Sequence, residues 1–117
     1  MSGNIDLSYL EEVTGGSTEI IKQLLELFLD ETPDQIQKLY EKCSMSEWEQ
    51  VRAEAHKLKP TFLYVGLQNA HELLGQVEHG ARNREYLDKL ADMIKSVEEE
   101  FNKVKPEVNS IIQRLSS

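Results

Sequence analysis

LDKLADMIKSVEEEFNKVKPEVNSIIQRL, residues 87–115, is the stretch of sequence that decides the fold. Its apolar residues alternate in spacing between three and four positions, and Pro106 is the one proline inside the pattern. Because an α-helix makes one turn in 3.6 residues, this alternation places the apolar side chains on one face of one long helix. A coiled-coil dimer and the last helix of a bundle both need such a stripe, and we favour the bundle because the preceding segments are also amphipathic helices. The stripe consists of Leu87, Leu90, Ile94, Val97, Phe101, Val104, Val108, Ile111 and Leu115.

The beginning of the chain predicts a short helix and a long one. Residues 5–13 form an amphipathic segment that ends at Gly15-Gly16, where glycine can adopt the left-handed cap conformation. A second helix starts near Ser17 or Thr18 and passes Pro33, which removes a backbone donor, so we expect one kinked helix rather than two. Its apolar face consists of Ile21, Leu24, Leu25, Phe28, Ile36, Leu39 and Cys43.

Two further helices complete the pattern. The sequence from Ser44 to Glu47 has the form of a capping box, which predicts a third helix over about 45–65. The fourth helix begins after Gly66 and ends in a glycine-containing polar turn at 79–84. The sequence therefore predicts an all-α single domain over 1–117, an antiparallel four-helix bundle with a short extra N-terminal helix. The apolar residues of the third and fourth helices are Trp48, Val51, Ala55, Leu58, Phe62, Val65, Leu67, Ala70, Leu74 and Val77.

Charge and composition narrow the classes of function. The net charge of −8 disfavours nucleic acid and anionic lipid as partners, because most of the surface would repel them. No apolar run is long enough to span a membrane, and residues 1–4 begin no signal segment, so we expect a cytoplasmic protein. We also expect a monomer. The single cysteine, Cys43, falls on an apolar stripe and is interpreted as a small core residue.

One histidine is not needed by the bundle. On a helical wheel, His56 lies far from the centre of the apolar stripe of the third helix and should face solvent. An isolated surface histidine is usually a solvated side chain without a role. However, Arg52, Lys57 and Lys59 surround it, and Lys59 leans back toward it from the next turn. This local positive cluster in an acidic protein suits an anion.

The stretch AHKLKPTFLYVG, residues 55–66, resembles the signature of histidine-containing phosphotransfer (HPt) domains of multistep two-component relays. The similarity includes the histidine, the leucine two positions later, the lysine three later and the glycine ten later. The Ile5-Asp6-Leu7 opening, the Gly15-Gly16 break and the run at 28–33 are similar to the first two helices of that family. The resemblance covers nearly the whole chain.

The resemblance implies a phosphocarrier. His56 would accept a phosphoryl group from the aspartate of one receiver domain and pass it to another, with Lys59 as the main stabilising cation and Arg52 and Lys57 as weaker ones. The partners would be receiver domains of response regulators and hybrid sensor histidine kinases. The chain has no phosphate loop and no kinase signature, so we expect no ATP-dependent kinase activity and no cofactor of its own, with Mg²⁺ supplied by the receiver.

Pro60 departs from the family pattern, which usually has glycine there. Its ring would lie beside His56, and it cannot donate a hydrogen bond to the carbonyl of His56, so we expect a kink at the histidine. Two hypotheses follow: either the ring is tolerated and transfer proceeds, or the domain is an adaptor that binds receivers or kinases without carrying phosphoryl. In either case Leu63, with Tyr64 and Ala53, is a candidate docking residue, and Leu63→Glu should weaken receiver binding without unfolding the bundle.

A metal-binding bundle fits the sequence poorly. None of the three histidines has a glutamate three positions before it, as a di-iron bundle requires. His71 begins a segment like a zinc-protease helix, but Gly75 stands where the second histidine must be. We interpret His71 and His79 as surface or boundary residues of the fourth helix, and we expect no metal site.

Overall fold

The computed structural model describes residues 5–117, and residues 1–4, from which no signal segment was expected, lie outside the described residues. Every regular element in this range is helical. A single 3-10 turn, Leu87–Lys89, precedes the last helix. The α-helices are α1 (Ser8–Thr14), α2 (Thr18–Ser44), α3 (Trp48–Tyr64), α4 (Gln68–Asn83) and α5 (Leu90–Ser116).

The four long helices form the predicted bundle. Each packs on its chain neighbour, and α5 closes the bundle against α2. The predicted apolar stripes meet in one core, in which Phe28 contacts Phe62 and Phe101 edge-on at centroid distances of 5.6 and 5.1 Å. Such edge-to-face contacts between aromatic rings add to the stabilisation from buried apolar area. The stripe of α5 therefore covers this chain's own core, which is the bundle interpretation.

The expected core residues at the edges of the stripes are only half-buried. They pack against the core from its rim and keep part of their surface in solvent. For Cys43 this partial burial raises the pKa of the thiol. The residues are Leu24, Cys43, Trp48, Leu87 and Leu115.

The start of α3 differs from the prediction, because the predicted capping box from Ser44 to Glu47 does not form. Ser44 is the last residue of α2, and its hydroxyl donates to the carbonyl of Glu41 at 2.8 Å. Glu47 occupies the N-cap of α3 without a side-chain capping bond, and its carboxylate accepts from Lys42 at 3.3 Å. The chain reverses at Ser46, whose φ is +56°. Ser44, which the pattern assigned to the cap of α3, therefore lies before the turn and belongs to α2.

Other helix bounds shift by a few residues. Helix α1 begins at Ser8 rather than at position 5, and α5 begins at Leu90 after the 3-10 turn. The turn predicted at 79–84 is wrong, because α4 continues to Asn83 and only Arg84 adopts the left-handed conformation that ends it. The Gly15 cap is confirmed: its φ is +65°, and its N–H closes the end of α1. The start of α2 is also confirmed, because Ser17 is the N-cap and accepts from the amide of Ile20 at 3.3 Å.

The prolines lie inside uninterrupted helices. Helix α2 continues through Pro33 as the single helix that was expected. Helix α3 likewise continues through Pro60, and α5 through Pro106. The helix that carries His56 is therefore one continuous element on both sides of the proline.

The N-terminal segment fixes α1 over one end of the bundle. The amide of Asp6 donates to the carbonyl of Val65 at 3.0 Å, directly after the end of α3. Gly66 has a φ of +78°, and a Cβ atom placed on it would lie 2.5 Å from the Cβ of Asp6. Tyr9 of α1 then stacks on Tyr64 at the end of α3, with ring centroids 5.5 Å apart. Within residues 5–117, no helix combines the length and the apolar content needed to cross a membrane.

Candidate functional site

His56 projects into solvent from the middle of α3. Its neighbours Ala55 and Leu58 are fully buried, whereas the imidazole is 66% exposed. This matches the position on the helical wheel, because a residue one step from the buried stripe turns about 100° away from it. The ring is therefore accessible to a partner.

One ring nitrogen of His56 is held by a buried carboxylate. Nδ1 lies 2.8 Å from Oε2 of Glu78, which α4 carries. The side chain of Glu78 is only 7% exposed. An ionised carboxylate can only accept hydrogen bonds, so Nδ1 is the donor and carries the hydrogen. In the neutral ring, the lone pair is then on Nε2.

Glu78 is the centre of a charged cluster, made of Glu78, His56, Lys59 and Arg82. Lys59 donates to Oε1 of Glu78 at 2.8 Å, and Arg82 donates to Oε2 at 3.1 Å. Burial by itself would raise the pKa of the Glu78 carboxyl, but the hydrogen bonds from Lys59 and His56 outweigh it and hold the pKa below its usual range. The carboxylate is therefore ionised, and its charge is shared among three nitrogen donors.

Two further contacts position Lys59. Its carbonyl accepts a hydrogen bond from Nδ1 of His71 at 3.0 Å. Gly75 faces the lysine stem across the α3–α4 interface, where a Cβ atom would come within 3.8 Å of Cδ of Lys59. Half-buried His71 thus ties α4 to α3 beside the site, whereas His79 is exposed and bonds to Glu85 at 3.2 Å, so both lie at the surface or boundary of α4.

The other expected cations are engaged along α3 itself. Lys57 forms an ion pair with Glu54 at 3.5 Å, and Arg52 pairs with Glu49. Neither contacts Glu78. Of the three cations that the sequence placed around His56, only Lys59 is bound in the cluster.

An exposed apolar surface lies toward the C-terminal end of α3. Half-buried Leu63 and the 40% exposed Tyr64 follow half-buried Pro60, and Ala53 is exposed on the N-terminal side of His56. A cavity of about 150 Å³ separates Tyr64 from α2 and has the fully buried Thr32, whose hydroxyl is unpartnered, in its wall. We name as the apolar surface four exposed side chains of α1, α2 and α3: Leu27 and Tyr64, which line this cavity, and Tyr9 and Val13, which line an adjoining one together with Tyr64.

Sequence reasoning missed Glu78 and Arg82. A signal was present, because Glu78 lies four residues after Leu74 and three before Ala81, on the apolar stripe of α4. A carboxylate in such a position needs partners, since burial of an unpaired charge is costly. Arg82, four residues after Glu78, is one of them. Which further residues complete the set depends on how α4 packs against α3.

In the part of the chain that the structure describes, no three His, Cys, Asp or Glu side chains are grouped as a metal site. Glu78, the carboxylate beside His56, already accepts from three nitrogen atoms. The chemistry available in the cluster is therefore that of an imidazole with one fixed nitrogen and one free nitrogen, next to a lysine and an arginine.

Comparison with known proteins agrees with this geometry. The family model described as Hpt domain matches residues 23–105. The chain belongs to the Hpt domain family. This region of the Hpt domain contains His56 and the cluster around it, together with most of α2 and α5.

A solved structure has the same fold. The HPt domain of the Hpt sensor hybrid histidine kinase from Shewanella superposes with a TM-score of 0.80, and the match covers 98% of each chain at 17% sequence identity. At that identity the likeness concerns the fold, including α1, which lies outside the family match. No curated protein matches the Hpt domain described here.

Proposed function

We propose that this Hpt domain is a phosphocarrier in a multistep two-component relay. His56 accepts a phosphoryl group from the aspartate of one receiver domain and passes it to another receiver. The observation that carries the proposal is the exposed imidazole whose Nδ1 is held by buried Glu78, so that Nε2 is free for reaction. Family membership supports a phosphotransfer role in two-component signalling.

The chemical step uses the free nitrogen. The lone pair of Nε2 attacks the phosphorus of the aspartyl phosphate, the bond from phosphorus to the aspartate oxygen breaks, and its electron pair remains on the aspartate carboxylate. The hydrogen on Nδ1 stays between the ring and Glu78. No base has to remove a proton before the attack, which suits an exposed site without a deep pocket.

Lys59 stabilises the transferred group. A bound phosphoryl group brings about −1.5 to −2 charges to the middle of a helix, where no helix N-terminus can offset them. The ammonium of Lys59 lies beside His56 on the same face of α3 and is 27% exposed, so a rotation of its flexible stem can move it from Glu78 to the phosphoryl oxygens. Arg52 lies one turn before His56, and Lys57 follows His56 directly in the sequence. Both act as weaker, longer-range cations.

The partner supplies the remaining chemistry. We propose that the receiver domain holds Mg²⁺ and the acceptor or donor aspartate, and that this Hpt domain needs no cofactor and does not phosphorylate itself from ATP. We also propose that it works in the cytoplasm as a monomer, because receiver docking needs one accessible histidine face and no second copy of the chain.

The apolar surface is the proposed docking site for the receiver. Its four exposed side chains lie on the same end of the bundle as the C-terminal half of α3, next to the histidine face. Tyr64 is eight residues from His56, or about 12 Å along a helix that rises 1.5 Å per residue. A receiver that covers the apolar surface therefore also reaches Nε2. Leu63, half-buried beside Tyr64, lies at the edge of this contact.

Pro60 motivates the second candidate, a receiver-binding adaptor that carries no phosphoryl group. The imidazole is 66% exposed despite the proline ring one turn away, and α3 continues through Pro60. Both observations favour transfer over the adaptor. The adaptor hypothesis requires instead that the ring blocks close approach of the receiver aspartate.

Intact-mass analysis after incubation with phosphorylated receiver domains tests the proposal, with His56→Ala as the control. A phosphoryl adduct that forms on the wild type alone and is lost in acid supports the phosphocarrier. If receivers bind but leave no adduct, the adaptor hypothesis is favoured, and recovery of the adduct in Pro60→Gly would identify the proline ring as the obstacle.

A further inference from the structure

A buried carboxylate at His56 does more than fix the ring, since an uncharged amide in the same place would also accept a hydrogen bond from Nδ1. The carboxylate adds a full negative charge 2.8 Å from a ring nitrogen. In the resting cluster, Lys59 and Arg82 offset this charge. The ion pairs with Lys59 and Arg82 already favour a carboxylate over an amide at rest, and the same charge also acts on the ring of His56 when a phosphoryl group is bound.

We propose that Glu78 is a positioning residue that keeps the proton on Nδ1 of His56 while the phosphoryl group is bound to Nε2. This inference rests on the proposed function of His56. In the phosphorylated state the ring with Nδ1–H is a cation, and a carboxylate at hydrogen-bond distance stabilises that cation as an amide cannot. Glu78 thus holds the phosphorylated ring in the form that releases its group.

The proton on Nδ1 determines which leaving group forms when the phosphoryl group is transferred from His56. When the next aspartate oxygen attacks phosphorus, the P–N bond breaks and its electron pair returns to Nε2. With the proton kept on Nδ1, the leaving group is neutral imidazole, the form that entered the cycle. If Nδ1 had lost its proton to water, the leaving group would be an imidazolide anion, which is a far poorer leaving group. No proton donor is then needed from the receiver.

The charges around the ring show why Glu78 is required. The charged or titratable groups around this region are Lys59 and the Arg52–Glu49 pair from α3 and Arg82 and His71 from α4. Each of the nitrogen groups, when charged, disfavours a proton on the ring. Among residues 5–117, Glu78 is the carboxylate that bonds to His56 and opposes them. When Lys59 moves to the phosphoryl oxygens, the charge of Glu78 is less neutralised and acts more strongly on Nδ1.

The pH dependence of phosphoryl release tests the assignment without a receiver. Wild type, Glu78→Gln and the control Glu72→Gln, which removes one charge from an exposed position of the same helix, are loaded with the small donor potassium phosphoramidate. Loss of the adduct to water is then followed by intact mass between pH 5 and 9. We expect wild type and Glu72→Gln to release the group over the same pH range. We expect Glu78→Gln to slow release as the pH rises, with a midpoint lower by about one pH unit and rates about tenfold lower above it.

A measurement on the wild type covers the case in which Glu78→Gln does not fold. The ¹⁵N chemical shifts of the phosphorylated ring report directly whether Nδ1 carries a proton. We expect the ring to keep this proton to higher pH than free phosphohistidine titrated alongside. Equal titration midpoints, or identical release profiles for wild type and a folded Glu78→Gln, would overturn the assignment.

The two proposals fail separately. If Glu78→Gln changes the release profile as expected but no receiver exchanges a phosphoryl group with His56, the carrier function is wrong and the assignment of Glu78 stands. If receivers exchange the group with wild type and Glu78→Gln at equal rates across the pH range, the carrier function stands and the assignment is wrong.

Discussion

At His56, the chemistry depends on which nitrogen is engaged. Glu78 occupies Nδ1 from the buried side, and solvent reaches the ring from the other side. Lys59 is bound to the other oxygen of the same carboxylate at rest, and its stem is flexible. In the proposed phosphocarrier, this one buried carboxylate both orients His56 and holds Lys59, the cation assigned to the phosphoryl group.

Replacement of Lys59 tests whether this lysine stabilises the transferred phosphoryl group. We expect Lys59→Ala to lower the rate of phosphoryl transfer to His56 by roughly 10- to 100-fold, because one charge-assisted contact to the transferred group is lost. Rates come from intact-mass time courses with a phosphorylated receiver. Lys57→Ala is the matched control, since Lys57 pairs with Glu54 outside the cluster. Equal losses in the two variants would mean that only general positive charge matters.

The ionised state of Glu78 also makes stability depend on pH. Its pKa in the folded protein lies below its ordinary value of 4.5, so its contribution is present above that pH and is lost as the pH falls through the folded pKa. We expect Glu78→Gln to be less stable than wild type at pH 7, by about 1–3 kcal/mol, and the difference to shrink below pH 4.5. Thermal unfolding from pH 7 to pH 3 measures it.

The lowered pKa values of Asp6 and Glu49 do not affect this comparison. Hydrogen bonds from Ser8 lower the pKa of Asp6, and the hydrogen bond from Arg52 lowers that of Glu49, but both carboxylates are present in the two proteins compared. A constant difference in Tm over the whole pH range would show that Glu78 acts through packing rather than charge.

Among the elements, the α3–α4 pair builds the site, and α1 completes the surface beside it. Helix α3 supplies the histidine and the lysine, and α4 supplies the carboxylate and the arginine. Helix α1 is short and buries only Leu10, so its position depends on local contacts at the end of α3. Gly66 is central among them, because Asp6 lies directly against it.

Substitution of Gly66 tests how α1 is held. Gly66→Ala introduces both an unfavourable φ of +78° and a Cβ 2.5 Å from Asp6. Gly15→Ala is the control, since its φ is +65° but no atom lies within 4 Å of the added Cβ. We expect Gly66→Ala to lower the free energy of unfolding by about 1–3 kcal/mol more than Gly15→Ala in urea titrations. Equal losses of stability in the two variants would mean that backbone strain alone causes the loss, and that the segment at Asp6 shifts away from the added Cβ without a further cost.

On the scale of the whole molecule, charge and apolar surface are unevenly distributed. Residues 48–84, which include α3 and α4, carry five Lys and Arg against four Asp and Glu, whereas the rest of the chain accounts for a net −9. The part of the chain that carries His56 is thus nearly neutral within an acidic protein. In the proposed function, a receiver that presents carboxylates around its phosphorylated aspartate is repelled less by this region than by the acidic remainder of the chain.

A charge placed in the apolar surface should separate docking from chemistry. We expect Leu27→Glu to weaken receiver binding by roughly tenfold or more, as loss of a central apolar contact does, and to leave loading by phosphoramidate unchanged. Met45→Glu is the control, since Met45 is 61% exposed beyond the far end of α2. Affinity is measured by calorimetry. Unchanged affinity in Leu27→Glu would exclude the apolar surface as the docking site, and Leu63→Glu would then test the edge nearer to His56.

The sequence by itself determined the helices, their buried faces and the exposed histidine. These features depend on local periodicity, because a residue's place on a helix follows from its number alone, as for the α5 stripe and His56. The local pattern was less reliable at helix boundaries. Ser44 is the last residue of α2 rather than the cap of α3, because the chain reverses after it, at Ser46. The tertiary structure alone decided the partners of His56. Glu78 lies 22 positions away in sequence, and only the packing of α4 on α3 brings its carboxylate to Nδ1.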